Sequence, residues 1–267
     1  MKKAQMTRMK TVEIGQLKIG EGMPKICVPL QAVDEESLLA QAGAAEQVPC
    51  DLLEWRADFL PAARLRDLPW MVAVSEQLRR VTAKPLILTM RTAGEGGHLQ
   101  MDRREYYTIL RDLAEAAKVD VVDIEAFDEQ QGFNAEKIEF LVGVAHSSGL
   151  KVILSNHDFE GTPEIDVMVK RLIVMQELGA DIPKIAVMPR EERDVLDLLE
   201  AARIMKENYC RRPFIALSMG DLGRTSRVCG GSFGSAITFA SGGEGGLAPS
   251  APGQMNAREL QNYICQY

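Results

Sequence analysis

A single lysine interrupts an otherwise apolar stretch of the chain, Ile182-Pro-Lys-Ile-Ala-Val-Met188. Lysine is almost never fully buried without a partner or a function. If this stretch is a β-strand, Lys184 shares one face with Ala186 and Met188 and points into the protein. Burial disfavours the charged amine and lowers its pKa, and a neutral amine forms a Schiff base with a ketone. The stretch therefore predicts imine chemistry at Lys184.

A protonated imine acidifies the neighbouring carbon, and the base that removes that proton needs a pKa near neutrality, as histidine has. His157 lies near the end of a predicted strand, Lys151–Asp158, which directly precedes the lysine strand. Adjacent barrel strands can present both side chains to one ligand. Glu95, in a loop after an earlier strand, is placed to orient the imidazole. The other two histidines are typical of packing, capping or surface loops: His98 and His146.

Two further charges alternate with apolar residues in Glu54-Trp-Arg56. Strand parity puts Glu54 and Arg56 on the inner face and Trp55 against the helices. Arg91 ends the next predicted strand. Glu54 and Arg56 are therefore predicted to lie inside the barrel.

Asp123 and Glu125 also share one face of a predicted strand. A strand-end carboxylate is more often half of an ion pair than a catalytic group, because a buried charge needs a partner. We therefore interpret Asp123 and Glu125 as structural.

The segment Gly220–Arg227 follows the seventh predicted strand and places Arg224 and Arg227 at the barrel mouth. Barrels often bind phosphate there, and a carboxylate suits a bidentate guanidinium equally well. No nucleotide-binding P-loop motif is present. The glycine-rich stretch 242–246 is interpreted as a hinge for the segment Ser250–Gln254.

The elements that position these residues follow a regular rhythm. Apolar, β-branched runs alternate with amphipathic segments, and most strand starts are slightly more than thirty residues apart, the length of a βα unit. The predicted strands are Lys25–Leu30, Asp51–Asp58, Pro85–Arg91, Val119–Ala126, Lys151–Asp158, Ile182–Pro189, Pro213–Gly220 and Ser235–Ser241. Eight such units predict an α/β fold, a (β/α)8 TIM barrel, with an open doubly wound sheet as the alternative.

Helix boundaries and an extra hairpin complete the prediction. The predicted helix starts are Asp102, Asn134, Thr162-Pro163 and Asn256, and the predicted ends are Gly149 and Gly179. Thr11–Glu21 alternates apolar and polar residues around Gly15 and Gln16, which predicts a β-hairpin closing the bottom of the barrel. No linker divides the chain, so residues 1–267 are expected to form a single catalytic domain after a loose extension over residues 1–10.

Composition excludes several classes of function. The chain has 267 residues and a net charge of −7, which gives it no electrostatic attraction to nucleic acid or anionic membranes. No run approaches a membrane span, and no apolar core of a signal peptide follows the N-terminus. The five cysteines are scattered and form no C-x-x-C pair. We therefore expect a cytoplasmic enzyme with no metal, no nucleic-acid partner and no membrane partner.

Six motifs occur in order along the chain. They are Glu54-Trp-Arg56, Arg91-x-x-x-Glu95-Gly-Gly, Ser155-Asn-His-Asp-Phe159, Ile182-Pro-Lys-Ile-Ala-Val-Met188, Ser226-Arg227 and Ser250-Ala-Pro-Gly-Gln254. Together they resemble the type I 3-dehydroquinate dehydratases (3-dehydroquinases) over nearly the whole chain, from about Thr11 onwards. The resemblance implies dehydration of 3-dehydroquinate to 3-dehydroshikimate in the shikimate pathway, without metal or organic cofactor, by a homodimer.

The motif matches imply a role for each residue. Lys184 would form the imine, His157 would act as general base and acid, and Glu95 would hold the histidine. The implied substrate-binding residues are Arg227 for the carboxylate, Ser250 and Gln254 from a closing loop, and Glu54, Arg56 and Arg91 for the ring hydroxyls. The stretch before the last motif is longer and richer in glycine than is usual in the family.

Two other readings share parts of this pattern. Another Schiff-base barrel, a class I aldolase acting on a phosphorylated sugar, would use Lys184 and bind phosphate in the loop after the seventh strand. A non-catalytic binding barrel would form no covalent adduct. Inhibition by inorganic phosphate and indifference to 3-dehydroquinate would favour the aldolase.

Overall fold

The computed structural model describes residues 10–127, 133–243 and 245–264. Its strands are β1 Val12–Ile14, β2 Leu17–Ile19, β3 Lys25–Leu30, β4 Leu52–Arg56, β5 Leu86–Thr89, β6 Val121–Glu125, β7 Lys151–Asp158, β8 Ile182–Val187, β9 Ile215–Ser218 and β10 Ile237–Phe239. Its α-helices are α1 Glu35–Ala45, α2 Ala62–Leu65, α3 Leu68–Val81, α4 Arg103–Ala116, α5 Ala135–Ser147, α6 Ile165–Glu177, α7 Glu192–Ile204, α8 Arg224–Cys229 and α9 Ala257–Ile264. Residues 1–9 of the predicted extension lie outside the described ranges.

Eight parallel strands form the sheet, in the order β10-β3-β4-β5-β6-β7-β8-β9, and helices connect them on the outside. The sheet curls into a near-closed barrel, which confirms the predicted (β/α)8 fold. Its edges β9 and β10 meet at one parallel bridge, Phe214 to Ser235. Two backbone N–H groups of β9 donate to serine hydroxyls in this seam, Ala216 to Ser235 Oγ (3.1 Å) and Ser218 to Ser226 Oγ (2.8 Å).

The lower half of the barrel interior is apolar. Each barrel strand contributes an inward residue to this layer: Cys27, Leu52, Ile87, Val121, Ile153, Ile182, Ile215 and Ile237. The hairpin β1–β2 turns at Gly15-Gln16 and packs Val12, Ile14 and Ile19 against this layer. The predicted hairpin and its position at the bottom of the barrel are therefore confirmed.

The outward-facing side chains of the strands are also apolar where they pack against the helices. Trp55 is fully buried in this outer core, as parity predicted. Several strands are shorter than predicted, since Pro85, Pro189 and Pro213 flank the ladder and have no N–H to donate. The second predicted strand stops at Arg56 and continues as a 3₁₀ turn over Ala57–Phe59.

Most predicted helix boundaries are confirmed. The side chains of Asp102, Asn134 and Asn256 accept backbone N–H groups in the first turns of their helices. The predicted start at Thr162-Pro163 is wrong, because α6 begins at Ile165. The Thr162 hydroxyl instead donates to the carbonyl of Met188 (3.2 Å) and ties the loop to the end of the next strand. Among the described helices, none is long and apolar enough to cross a membrane.

The hairpin should contribute measurably to stability. Ile19 is fully buried between the hairpin and the barrel, so Ile19→Ala should lower the free energy of unfolding by about 2–5 kcal/mol. Urea denaturation monitored by circular dichroism measures this loss. Lys18→Ala, on the exposed side of the same strand, is the matched control. Equal stability of the two variants would show that the hairpin does not close the barrel.

Candidate active site

A cavity opens at the carboxyl end of the barrel strands. All nine residues to which the motif matches give a role line it: Glu54, Arg56, Arg91, Glu95, His157, Lys184, Arg227, Ser250 and Gln254. Apolar side chains that no motif singled out complete the walls, among them Leu217, Met219 and Phe239. The strands thus bring together residues that are up to 200 positions apart in the chain (Glu54 and Gln254).

Lys184 projects from the middle of β8 and is 4% exposed. Its Nζ lies 3.5 Å from Asp123 Oδ2 on β6 and 4.3 Å from the centre of the Phe239 ring on β10. A buried ammonium is expensive unless it is paired, and Asp123 supplies that pairing. Asp123 makes ion pairs, as the sequence predicted. One of its partners is Lys184, the residue for which the sequence predicts imine chemistry.

His157 and Glu95 form a close pair. His157 Nδ1 lies 2.8 Å from Glu95 Oε2, and both side chains are largely buried. Burial and three nearby cations, Arg91, Lys184 and Arg56, hold the pKa of His157 well below 6.5. The imidazole is therefore neutral at physiological pH. One of its two ring nitrogens, Nδ1 or Nε2, then carries the proton and the other is free to accept one.

The hydrogen bonds that Glu95 accepts favour a proton on the histidine of this pair. Burial and the Glu125 carboxylate raise the pKa of Glu95, but Oε2 of Glu95 also accepts from Arg91 Nη1 (3.1 Å) and from the His157 backbone N–H (3.2 Å). An oxygen that already accepts two N–H groups favours the ionised form. Nδ1–H consequently donates to Glu95, and Nε2 is left as the basic nitrogen.

The loop after β5 holds Glu95 in place. Residues Ala93–Glu95 form a 3₁₀ turn that ends at Gly96, whose φ is +76°. A Cβ on Gly96 would lie 2.2 Å from the ring of Phe159. Only glycine fits this left-handed position against the ring, which explains the first glycine of the Glu-Gly-Gly motif.

Arg91 is the central cation on the acidic side of the cavity, where Arg103 also pairs with Glu125 (3.2 Å) and Lys184 with Asp123 (3.5 Å). Its guanidinium contacts Glu95 (3.1 Å), Asp123 (2.8 Å) and Glu125 (3.2 Å), and it also donates to Ser155 Oγ (3.0 Å). Arg91 is 3% exposed. These carboxylates are compensated inside the barrel, so Arg91 is both a cavity wall and the centre of an ion-pair cluster.

Arg56 and Glu54 are held in place by other partners than Arg91. Arg56 makes a bidentate ion pair with Asp58, with both N···O distances at 2.7 Å. Glu54 accepts a hydrogen bond from Thr89 Oγ1 (2.8 Å). Both groups therefore have fixed orientations toward the cavity.

Arg227 is the cation of the cavity that lacks a carboxylate. It is 2% exposed, and no acidic group of the described residues lies within salt-bridge distance. Burial lowers its pKa to about 10. Its Nη1 and Nη2 donate to the carbonyls of Phe239 (3.3 Å) and Pro252 (3.0 Å), while its buried Nε has no partner among the described residues. An uncompensated buried guanidinium is suited to bind an anion.

The companion prediction for Arg224 is wrong. Its side chain is about half exposed and pairs with Glu259 on α9 (3.7 Å), and it is absent from the cavity wall. Arg224, the first residue of the short helix α8, reaches toward Glu259 on α9, whereas Arg227 enters the barrel seam and donates to the carbonyls of Phe239 and Pro252.

The segment 250–254 covers the cavity as a tight loop. Gln254 Nε2 donates to Ser250 Oγ (2.9 Å), and the Ser250 N–H donates to Gln254 Oε1 (2.8 Å). The Gly220 N–H donates to the Pro252 carbonyl (3.2 Å). Gly253 has φ +71°, and a Cβ there would lie 1.9 Å from the Gly220 carbonyl oxygen. The glycine is thus required for the loop to rest on the barrel mouth.

The proposed hinge over residues 242–246 has a compact conformation where it is described. The N–H groups of Gly242 and Gly243 both donate to the Leu247 carbonyl (3.0 and 3.3 Å). Position 244 lies outside the described residues. The hinge remains a prediction, since a single conformation does not test it.

The other two histidines lie outside the cavity wall. His146, in the last turn of α5, pairs with Asp181 (2.8 Å), and His98 is exposed with its ring against Phe59 (4.4 Å between centres). Both positions agree with the packing and loop roles expected from the sequence.

The carboxyl ends of the strands are where barrel enzymes carry their active sites, and comparison with known proteins narrows this class to one family. The sequence profile of the type I 3-dehydroquinases matches residues 26–265. The chain belongs to this family and is an enzyme of that type.

Individual relatives agree over nearly their full lengths. The 3-dehydroquinate dehydratase of Clostridium novyi (strain NT) is 39% identical over 257 residues, which cover 96% of this chain and 97% of the relative. The enzyme of Enterococcus faecalis (strain ATCC 700802 / V583) is 41% identical over 257 residues, with the same coverage. A crystal structure of the type I enzyme from Clostridium difficile matches with a TM-score of 0.88 and 39% identity over 97% of both chains.

The protonation state of the His157–Glu95 pair can be measured directly. Because the pKa of His157 is lowered, its imidazole should stay neutral as the pH falls through 6.5. In ¹⁵N NMR spectra at pH 6.5, we expect a protonated Nδ1 and an unprotonated Nε2. His157→Asn assigns the signals by their loss. An imidazolium at pH 6.5, or the opposite tautomer, would contradict this arrangement.

Proposed function

We propose that this enzyme dehydrates 3-dehydroquinate to 3-dehydroshikimate through a Schiff base on Lys184, with His157 as general base and acid. One observation carries the proposal: the Lys184 amine and the neutral His157 imidazole line one buried cavity that also holds a guanidinium without a carboxylate partner. Family membership supplies the substrate.

The first step is imine formation. His157 takes one proton from the Lys184 ammonium, and the amine adds to the ketone carbon. The hydroxyl of the resulting carbinolamine takes that proton back from His157 and leaves as water, which gives a protonated imine. The amine is positioned for this step inside the cavity, at 4% exposure and beside the Phe239 ring. His157 lies on the adjacent strand and supplies the proton transfers of imine formation and hydrolysis.

The second step is elimination. His157 Nε2 takes a proton from the carbon next to the imine, and the electron pair of that C–H bond forms an enamine with the nitrogen as electron sink. The enamine then expels the hydroxyl group, which takes the same proton from His157 and leaves as water. Glu95 holds Nδ1–H throughout, so Nε2 stays directed at the substrate. No step of this mechanism uses a metal or an organic cofactor.

Substrate binding uses the remaining cavity residues. Arg227 has donor capacity and no acidic partner among the described residues, so we assign it the substrate carboxylate. Ser250 and Gln254 add hydrogen bonds from the covering loop. Glu54, Arg56 and Arg91 offer acceptors and donors to the ring hydroxyls, each already held by a neighbour.

Family membership decides against the aldolase alternative and against a non-catalytic barrel. Three further predictions remain proposals that rest on the resemblance and composition. They are a homodimer, a cytoplasmic location and a single catalytic domain over residues 1–267.

Borohydride reduction tests the covalent step. With 3-dehydroquinate present, reduction should attach the substrate skeleton to Lys184 alone, as peptide mass mapping would show. Lys184→Met should give no adduct and no turnover. An adduct on another lysine, or none on the wild-type enzyme, would refute the Schiff base.

His157→Ala separates the two steps in the same experiment. This variant should still form the adduct slowly, while its turnover falls by about 10²–10⁴-fold or more, the usual contribution of general acid–base catalysis. Turnover at the wild-type rate would show that another group is the base.

The two arginines of α8 provide a matched pair for substrate binding. Arg227→Gln removes the guanidinium assigned to the carboxylate, and loss of a buried charged partner costs about 2–5 kcal/mol. The ratio kcat/KM should therefore fall by about 30-fold or more. Arg224→Gln removes an arginine three residues away that is exposed and outside the cavity. Steady-state kinetics in which both variants lose kcat/KM equally would contradict the assignment of Arg227.

A further inference from the structure

Asp123 and Lys184 face each other across the barrel interior, with β7 between their strands. The distance from Lys184 Nζ to Asp123 Oδ2 is 3.5 Å, and the side chains are 5% and 1% exposed. The other oxygen, Oδ1, accepts from Ser155 Oγ (2.6 Å) and Arg91 Nη2 (2.8 Å). Ser155 and Arg91 therefore fix the carboxylate through Oδ1, and its other oxygen, Oδ2, faces the Lys184 amine.

We propose that Asp123 is the counter-ion of the protonated imine on Lys184 and orients that imine by accepting its one N–H. This inference rests on the proposed Schiff-base function. It assigns a catalytic role to a residue whose sequence context predicted only a structural one.

The charge at Nζ explains why a fixed carboxylate suits this position. When the Lys184 ammonium condenses with a ketone, two of its three protons leave with the carbonyl oxygen as water. The nitrogen keeps one hydrogen, gains the bond to the substrate carbon and remains a cation. Asp123 therefore faces one positive charge before the condensation and one after it, without moving.

The single N–H also fixes the geometry of the substrate. An imine nitrogen is planar and carries three substituents: Cε of Lys184, the substrate carbon and the hydrogen. Strand β8 sets the direction of Cε, and Asp123 Oδ2 sets that of the hydrogen. The direction to the substrate carbon follows from the other two, and with it the face of the neighbouring carbon that His157 meets.

Charged and titratable groups reach this region from several strands. They are Cys27 on β3, Glu54 on β4, Arg91 after β5, Asp123 on β6 and His157 on β7. Phe239 on β10 covers Nζ with its ring. Among the described residues, Asp123 is the carboxylate within salt-bridge distance of Nζ, so the removal of its charge acts on the imine directly.

Asp123→Asn tests the proposal because it keeps the shape and an acceptor oxygen but removes the charge. An opposite charge at this range raises the pKa of a cation by about one to three units. In the variant, the alkaline limbs of kcat and of borohydride trapping should both move to lower pH by about one unit or more. At a pH above the new limb, kcat should fall at least about tenfold. Unchanged limbs would overturn the proposal.

Glu125→Gln is the matched control. Glu125 is as buried as Asp123 and pairs with the same guanidinium, Arg91, at 3.2 Å. It contributes no contact to Nζ, so the alkaline limbs should keep their positions in this variant even if kcat changes. Equal shifts of the alkaline limbs in both variants would mean that the shift arises from a disturbed Arg91, and the counter-ion role of Asp123 would be rejected.

Two further arms keep the test decisive. If Asp123→Asn does not fold, Asp123→Glu retains the charge but moves it by one methylene. That variant should keep the alkaline limb while kcat falls about tenfold or more, and a wild-type kcat would reject the orienting role.

If the wild-type enzyme itself gives no Lys184 adduct, the Schiff-base function fails. An adduct in the wild type with unchanged limbs in Asp123→Asn defeats only the role of Asp123.

Discussion

The cavity depends on the guanidinium of Arg91. Three buried carboxylates surround it inside the barrel, and each has a second partner: the histidine for Glu95, the lysine for Asp123 and the loop after β5 for Glu125. Breaking a buried ion pair typically destabilises a protein by about 3–5 kcal/mol, because the remaining charge has no compensation. One cation therefore maintains the positions of both proposed reacting groups.

The barrel makes this cluster possible by separating it from an apolar layer. Below the charged level, the inward side chains are apolar and the hairpin packs against them. Hydrogen bonds and ion pairs are stronger in such surroundings than in water, and unpaired groups are correspondingly expensive. Arg227 is an exception, because it is buried without a carboxylate partner among the described residues, and this is why we propose that it binds an anion.

Strand parity was sufficient to predict the inward positions of Lys184, Glu54 and Arg56, because alternation along a strand is a local property. It could not predict which inward charges touch, since that depends on the relative shift of neighbouring strands. Asp123 was for this reason assigned to structure alone. The same limit explains the errors at Arg224 and Thr162. Their side chains bind groups on distant elements, and the local signals for a barrel mouth and a helix cap did not include those partners.

The seam between β9 and β10 carries a thermodynamic consequence. Serine hydroxyls replace ladder hydrogen bonds there, and Arg227 bridges the last carbonyl of β10 to that of Pro252 in the covering loop. An anion that docks on this guanidinium offsets the burial of its charge and so tightens the one incompletely laddered joint of the barrel. Under the proposed role of Arg227, ligand binding and closure of this seam are linked equilibria, and occupancy raises the unfolding free energy by RT ln(1 + [L]/Kd).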